Sequence, residues 1–149
     1  MLYRIQYINS EQDYSKLLDI AFRNSDAFSI CTFKYYHKKN LSQDYYDFLN
    51  ALEPYRIIEE YHIPKNYRKG QKYHVYELNA ATKKLIRSVK TLQAWEPPLF
   101  PEDLTFYIHK KYWLYTISHE DLTFMRPPRP DVLKLFLDSH FKLYEQSWG

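Results

Sequence analysis

The sequence predicts an α+β protein in which a mostly antiparallel sheet is packed by about three helices and by a C-terminal amphipathic helix. Strand-like and helix-like stretches are mixed, and several strand-like stretches are consecutive, which favours α+β over a doubly wound parallel sheet. The 149 residues, 45% hydrophobic and 26% charged, fit a single domain with its own core. We assign residues 1–125 to the α+β domain, and residues 126–149 to a proline-rich connector and a last helix packed on the same domain.

The first part of the chain alternates between strand and helix patterns. Leu2–Ile8 and Asp26–Tyr36 have the alternation or the β-branched and aromatic content of strands. Ser10 and Ser42 are placed to cap helices, because each precedes apolar residues at helical spacing. The helix from Ser42 should end at Pro54, and Tyr55–His62 then reads as a strand. Each of the two helices should bury one apolar stripe. In the first helix the stripe consists of Tyr14, Leu17, Leu18, Ala21 and Phe22, and in the second it consists of Tyr45, Phe48, Leu49 and Leu52.

The middle of the chain predicts a strand pair followed by a basic helix. Gln71–Leu78 is strand-like and can pair antiparallel with Tyr55–His62 across the basic loop Pro64–Gly70. A second basic loop, His37–Asn40, follows the strand Asp26–Tyr36. Asn79 is placed to cap a third helix, with Ala81, Leu85 and Val89 as its apolar stripe.

The last third predicts a hairpin and a terminal helix. Leu104–His109 and Tyr112–His119 should pair around Lys110-Lys111, and Leu122–Met125 should add an edge strand. Arg126–Pro130 is a stiff connector. Asp131 then begins an amphipathic helix, whose apolar side consists of Leu133, Phe136, Leu137, Phe141 and Tyr144.

Glycine and cysteine usage exclude several classes. Gly70 and Gly149 are the two glycines, so a Walker loop, a dinucleotide-binding turn or a nucleophile elbow has no glycines to build it. Cys31, the lone cysteine, lies in a strand-like run and is predicted to be a packed thiol in a reducing compartment. The sequence shows no secretory-signal pattern and no run approaching the ~20 apolar residues of a membrane span, so we expect a cytoplasmic protein.

The stretch Trp95–Phe124 contains the first candidate site. It carries one acidic corner at Glu102 and Asp103 and a second polar corner at His119 and Glu120. If the corners converge, together with His109, carboxylates could act as bases or metal ligands and histidine as a proton shuttle, as in an acid–base or metal-assisted hydrolase. The alternative is that these residues form hydrogen bonds that pin the ends of the hairpin. No HExxH motif is present, and we predict neither a metal nor a cofactor.

Aromatic residues suggest a second kind of site. The chain has 16 Tyr, 9 Phe and 3 Trp, and aromatic side chains are enriched among the residues that dominate protein interfaces. We predict Tyr107, Trp113 and Tyr115 as binding anchors for a protein partner. The sequence specifies neither that partner nor the oligomeric state.

Charge is divided between two neighbouring segments. Residues 61–90 contain eight basic side chains and one acidic, whereas residues 91–125 contain two basic and five acidic. The two segments could neutralise each other within the fold, or the basic one could bind an acidic partner. Lys65–Lys90 also interleaves Tyr67, Tyr73 and Tyr76 with lysines, a pattern compatible with single-stranded nucleic acid, although a solvated helix face and loop explain it as well.

A short motif resembles a known family. Pro101–Tyr107 reads PEDLTFY, and Trp113 and Ser118-His119-Glu120 follow it. This pattern resembles a family of small uncharacterised proteins of low-GC Gram-positive bacteria, sometimes labelled stage III sporulation proteins. The resemblance spans residues 1–125 and implies that both polar corners are shared features, but it brings no activity with it.

We therefore interpret the chain as a non-enzymatic cytoplasmic interaction protein of the immunity or regulatory type. The motivation is the lack of a complete catalytic constellation beside many tyrosines and a divided charge pattern. The alternatives are the hydrolase at the two polar corners and the nucleic-acid binder through Lys65–Lys90.

Overall fold

Strands and helices alternate in the first half of the chain, and strands predominate in the second. The computed structural model describes residues 1–34, 40–64 and 70–147. The strands are β1 (Leu2–Ile5), β2 (Ala27–Phe33), β3 (Arg56–Ile57), β4 (Gln71–Glu77), β5 (Glu102–Ile108), β6 (Lys111–Ile117), β7 (Leu122–Met125) and β8 (Leu143–Gln146). The helices are α1 (Glu11–Arg23), α2 (Gln43–Leu52), α3 (Ala80–Ser88) and α4 (Pro130–Asp138).

The first three helices begin at the capping residues that the sequence predicts. Ser10 Oγ accepts a hydrogen bond from Asp13 N–H at 3.0 Å, and Ser42 Oγ accepts one from Tyr45 N–H at 3.4 Å. Asn79 and Thr82 form a reciprocal capping box at the start of α3. These bonds satisfy amide groups that a helix start leaves without intrahelical acceptors.

The sheet is antiparallel throughout, with strand order β3-β4-β2-β5-β6-β7-β1-β8. Apolar side chains of all four helices join one core with alternate sheet residues such as Phe28, Ile30, Leu104 and Phe106. Because strand side chains alternate between faces, the intervening residues belong to the opposite face. There a second, smaller cluster is formed by Ala27, Val75 and Tyr107. The predicted α+β class, with a mostly antiparallel sheet packed by helices, is confirmed.

The predicted hairpin also forms, one residue earlier than expected. β5 and β6 are joined by His109 and Lys110, which have φ values of 52° and 67°. Two consecutive positive φ values are typical of the tight two-residue turns that match the twist of a hairpin. Cys31 is buried on β2, as predicted.

The predicted strand Tyr55–His62 is mostly wrong. Arg56 and Ile57 pair with β4, but the chain then leaves the sheet edge. The chain crosses to the interior strand β6, where His62 forms an isolated bridge with Lys111. Ring packing explains this route, since Tyr61 meets Tyr107 edge to face with ring centroids 5.4 Å apart.

Three further predictions need correction. Leu122–Met125 is an interior strand, because β1 pairs with its other side. In α3 the fully buried residues are Thr82 and Ile86, and the predicted Ala81 is exposed; Leu85 is half-buried against the core, and Val89, just after the helix, is buried as predicted. The C-terminal helix ends at Asp138, and residues 143–146, which include Tyr144, form β8 beside β1. Leu137, predicted on the apolar side of this helix, is 53% exposed.

Some predicted features fall outside the described residues. These are most of the basic loops His37–Asn40 and Pro64–Gly70, and the end of the predicted strand Asp26–Tyr36.

Candidate functional site

The two polar corners meet at one end of the β5–β6 hairpin. The pairing of β2 with β5 is irregular between Ser29 and Cys31, and nearby Asp103 has a left-handed φ of 59°. Asp103 N–H donates to Ser118 Oγ at 2.9 Å, and Ser118 N–H donates back to Asp103 Oδ1 at 2.8 Å. This reciprocal pair ties the start of β5 to the end of β6, so the two corners are adjacent.

The acidic corner is inside the protein. Asp103 is 0% exposed and Glu102 is 4% exposed. Asp103 Oδ2 accepts a hydrogen bond from Gln71 Nε2 at 2.9 Å, and the same amide nitrogen lies 3.4 Å from Cys31 Sγ. Asp103 thus links β4, β5 and the end of β6, and both of its carboxylate oxygens already accept hydrogen bonds. Burial is the main cause that raises the pKa of the Cys31 thiol, and the carboxylate of Asp103 adds to it.

The second corner is at the surface. His119 and Glu120 lie in the short 3₁₀ turn Ser118–Glu120, with their side chains 41% and 52% exposed. His119 Nε2 is 3.6 Å from Glu120 Oε1. The corners therefore adjoin through Ser118, while the side chains of one are buried and those of the other are hydrated. A hydrolase at this position stays a prediction.

His109 does not belong to this corner. It follows β5, whose seven residues place it about 20 Å from Glu102. Its backbone N–H donates instead to Asp26 Oδ2 at 3.1 Å. Among residues 1–34, 40–64 and 70–147, no group of three or more His, Cys, Asp or Glu side chains is arranged to hold a metal ion.

Two of the three predicted binding anchors are in the interior. Tyr107 is fully buried, and its hydroxyl lies 2.8 Å from Ser29 Oγ; burial raises the pKa of this phenol. Trp113 is 2% exposed and donates from Nε1 to Ser25 Oγ at 2.9 Å. Tyr115 is half-buried and stacks on Phe124 with ring centroids 5.2 Å apart. Neither Tyr107 nor Trp113 is accessible to a partner in this conformation.

The basic stretch Lys65–Lys90 is divided among separate surfaces. Residues 65–69 are outside the described part, Lys72 is on β4, and the remaining cations are on or just after α3. Arg87 pairs with Asp19 at 2.6 Å and lies 4.8 Å from the centre of the Phe22 ring, with Lys83 on the same ring at 5.8 Å. The described cations of the stretch therefore lie on two different elements, β4 and α3 with the residues just after it.

The segment of residues 58–64, here called the crossing segment, is the feature that the sequence did not predict. Glu59 Oε2 pairs with Lys110 Nζ at 2.8 Å, and this hydrogen bond is the main cause that lowers the pKa of Glu59. His62 N–H donates to Lys110 C=O at 2.9 Å, and the His62 ring stacks on Tyr112 at 5.0 Å. These contacts fix the crossing segment against the hairpin turn.

A groove of about 830 Å³ lies between the crossing segment, β3 and the start of β4. It is lined by Ile57, Ile58, Tyr61, Ile63, Pro64, Tyr73 and Val75, with polar residues around them. Ile58 is 94% exposed and Ile63 is 38% exposed. The available sequence signal was the pair Ile57-Ile58, because adjacent residues of a strand cannot both face the same core.

No helix in the described ranges is long and apolar enough to cross a membrane. Comparison with protein-family models, with curated proteins and with solved structures finds no match to this chain. The resemblance to the Gram-positive family stays a prediction, and function is inferred from geometry and chemistry.

Proposed function

We propose that this chain is a non-enzymatic protein-binding module and that its contact surface is the groove beside the crossing segment. The exposure of Ile58 carries this proposal. An isoleucine that is 94% exposed gains almost nothing from folding, yet it borders a groove that already contains six other apolar or aromatic residues. Exposed apolar surface next to a concave, rigid wall is typical of protein interaction sites.

The contacts of the crossing segment support the same proposal. The ion pair of Glu59 with Lys110 and the backbone bond from His62 hold the segment in one position before any partner arrives. A surface ordered in advance loses less conformational freedom on binding, so more of the contact energy appears as affinity. Burying the Ile58 side chain would contribute about 1.5–3 kcal/mol, which corresponds to roughly a 10- to 100-fold change in Kd.

The hydrolase alternative has less support from the geometry. Asp103 is 0% exposed, and each of its carboxylate oxygens accepts a hydrogen bond from within the protein, so solvent and substrate do not reach it in this conformation. His119 and Glu120 are hydrated and lie beside each other without a third oriented group. A general base needs hydrogen-bond reach to its substrate and an environment that tunes its pKa.

A displayed library of random dodecapeptides tests the protein-binding proposal. Peptides selected on the full chain are measured against Ile58→Asp and against the matched control Leu137→Asp, which places the same charge on an exposed leucine of α4. We expect the selected peptides to be apolar, to lose at least tenfold affinity for Ile58→Asp, and to bind Leu137→Asp like the parent chain. Failure to enrich any peptide family, or equal affinity for Ile58→Asp, would refute the proposal.

The immunity or regulatory type is the finer part of the proposal, and we place it in the cytoplasm. The buried, unpaired Cys31 supports a reducing compartment. If a toxin is encoded beside this gene, co-expression should restore growth with the parent chain and with Leu137→Asp but not with Ile58→Asp. If all three chains restore growth equally, the groove beside Ile58 is not the surface that neutralises the toxin.

A further inference from the structure

A second groove lies where β2 ends and β4 begins. It measures about 480 Å³ and is lined by Thr32, Phe33, Lys34, Gly70, Gln71 and Lys72. Lys34 N–H donates to Gly70 C=O at 3.1 Å, and Thr32 is the cross-strand partner of Lys72. These pairings put the two lysines at the same end of the sheet, Lys34 just after β2 and Lys72 on β4.

The two lysines carry charge that the fold does not neutralise. Both are exposed, and no carboxylate of the described residues forms an ion pair with either. The groove lining contains no acidic residue among the described positions. Within the described part of the chain, the lysine and arginine residues that form ion pairs are instead Lys16, Arg87, Lys110, Arg129 and Lys134.

His74 lies next to this groove and is affected by the charge of Lys72. Its Nε2 lies 2.7 Å from Thr32 Oγ1, which places the ring beside the groove. Burial, followed by the charges of Arg56 and Lys72, lowers the pKa of His74 to about 4. Arg56 Nε is itself buried without a hydrogen-bond partner among the described residues. Burial and these two cations therefore act in the same direction on the imidazole, and both favour its neutral form.

We propose that this groove binds a phosphate group, with the ammonium groups of Lys34 and Lys72 on either side and the Thr32 hydroxyl within the lining. Two exposed ammonium groups without a carboxylate partner among the described residues match the charge and the acceptor oxygens of phosphate. The phosphate can belong to a small ligand or to a nucleic-acid backbone, since both offer the same group. The site goes beyond protein binding at the other groove, although Lys72 borders both.

Two probes separate these sources: pyrophosphate, and a fluorescently labelled thymidine decanucleotide. Each is titrated into the parent chain, the double variant Lys34→Gln/Lys72→Gln, and the control Lys84→Gln, which removes one exposed charge from α3. We expect the double variant to lose most of the binding and the control to retain it. For the oligonucleotide, each lysine removed should reduce the salt dependence, the slope of log K against log salt, by about 0.7.

The pKa of His74, followed through its ring resonances, gives a readout that does not depend on affinity. It should rise when either probe binds, because a phosphate offsets the charges of Arg56 and Lys72. Binding of pyrophosphate alone assigns the site to small ligands, and binding of the oligonucleotide alone assigns it to a backbone. The proposal is overturned if the parent chain binds neither probe, if the double variant binds both unchanged, or if Lys84→Gln weakens binding as much as the double variant.

Discussion

Replacing Asp103 with alanine tests whether the buried acidic corner is a structural pin. The change removes the acceptor for Ser118 N–H at 2.8 Å and for the Gln71 side-chain amide at 2.9 Å. A hydrogen bond to a charged group contributes about 1.5–3 kcal/mol, and a left-handed φ costs alanine about 1 kcal/mol. Because the two bonds share one carboxylate and are not fully additive, we expect a loss of about 3–5 kcal/mol in the free energy of unfolding.

Asparagine at the same position shows whether the fold needs the hydrogen bonds of Asp103 or its negative charge. It has nearly the same size, tolerates left-handed φ, and keeps one carbonyl oxygen for Ser118 N–H, so Asp103→Asn should cost only about 1–2 kcal/mol. The measurement is urea unfolding at neutral pH. The control is His119→Ala at the exposed corner, which should stay within about 0.5 kcal/mol of the parent chain. Our reasoning is refuted if Asp103→Ala costs less than about 1 kcal/mol, or if His119→Ala costs as much.

The remaining predictions concern stability. The pKa of His74 lies near 4 in the folded chain and near 6.5 in the unfolded one, so stability should be full above pH 6.5 and fall as pH decreases toward 4. Allowing for solvent screening at this half-buried ring, the loss should be about 1–2 kcal/mol, and His74→Gln should flatten the pH profile of chemical denaturation. Ser10→Ala should cost about 1 kcal/mol through the lost cap, measured by the same denaturation. Trp113→Ala should cost about 3–5 kcal/mol, whereas Ser25→Ala, which removes only the acceptor of the indole N–H, should cost about 1 kcal/mol; equal losses would contradict this division.

Local chemistry determined most of what the sequence could predict. Ser10, Ser42 and Asn79 mark helix starts because their side chains bond amides only three residues away. The hairpin of β5 and β6 could also be predicted, because its two strands are consecutive in the chain. The turn was displaced by one residue because His109 and Lys110 both take a positive φ, a conformation without a strong sequence signal when no glycine is present.

Long-range pairing explains what the sequence did not reveal. Leu122–Met125 follows the hairpin as a short extra strand, and the pairing of β1 with its other side makes it interior. Tyr55–His62 alternates like a strand except at the pair Ile57-Ile58, and the contact of Tyr61 with Tyr107 accompanies the path of the chain across the sheet. Both outcomes depend on residues more than 40 positions away in the chain, beyond the range of periodicity arguments.

The candidate sites follow the same division. That two polar corners exist was readable from residues 102–103 and 119–120, but their burial was not, because burial depends on what packs over them. The burial of Tyr107 and Trp113, which were predicted as exposed binding anchors, could not be read from the sequence either. An aromatic residue in a strand has an apolar body for either a core or an interface, and its fractional exposure in the fold decides between the two.

The divided charge of the chain has a consequence for partners. One expectation was that the basic residues 61–90 and the acidic residues 91–125 neutralise each other within the fold. Among the described residues, however, Arg87 pairs with Asp19 and Lys110 pairs with Glu59, so neither of these ion pairs joins the two segments. Lys72 consequently keeps an uncompensated charge at the groove that it borders with Lys34. Surface charges without an ion-pair partner raise solubility and attract oppositely charged ligands, and two of them beside one groove favour a doubly charged anion such as phosphate there.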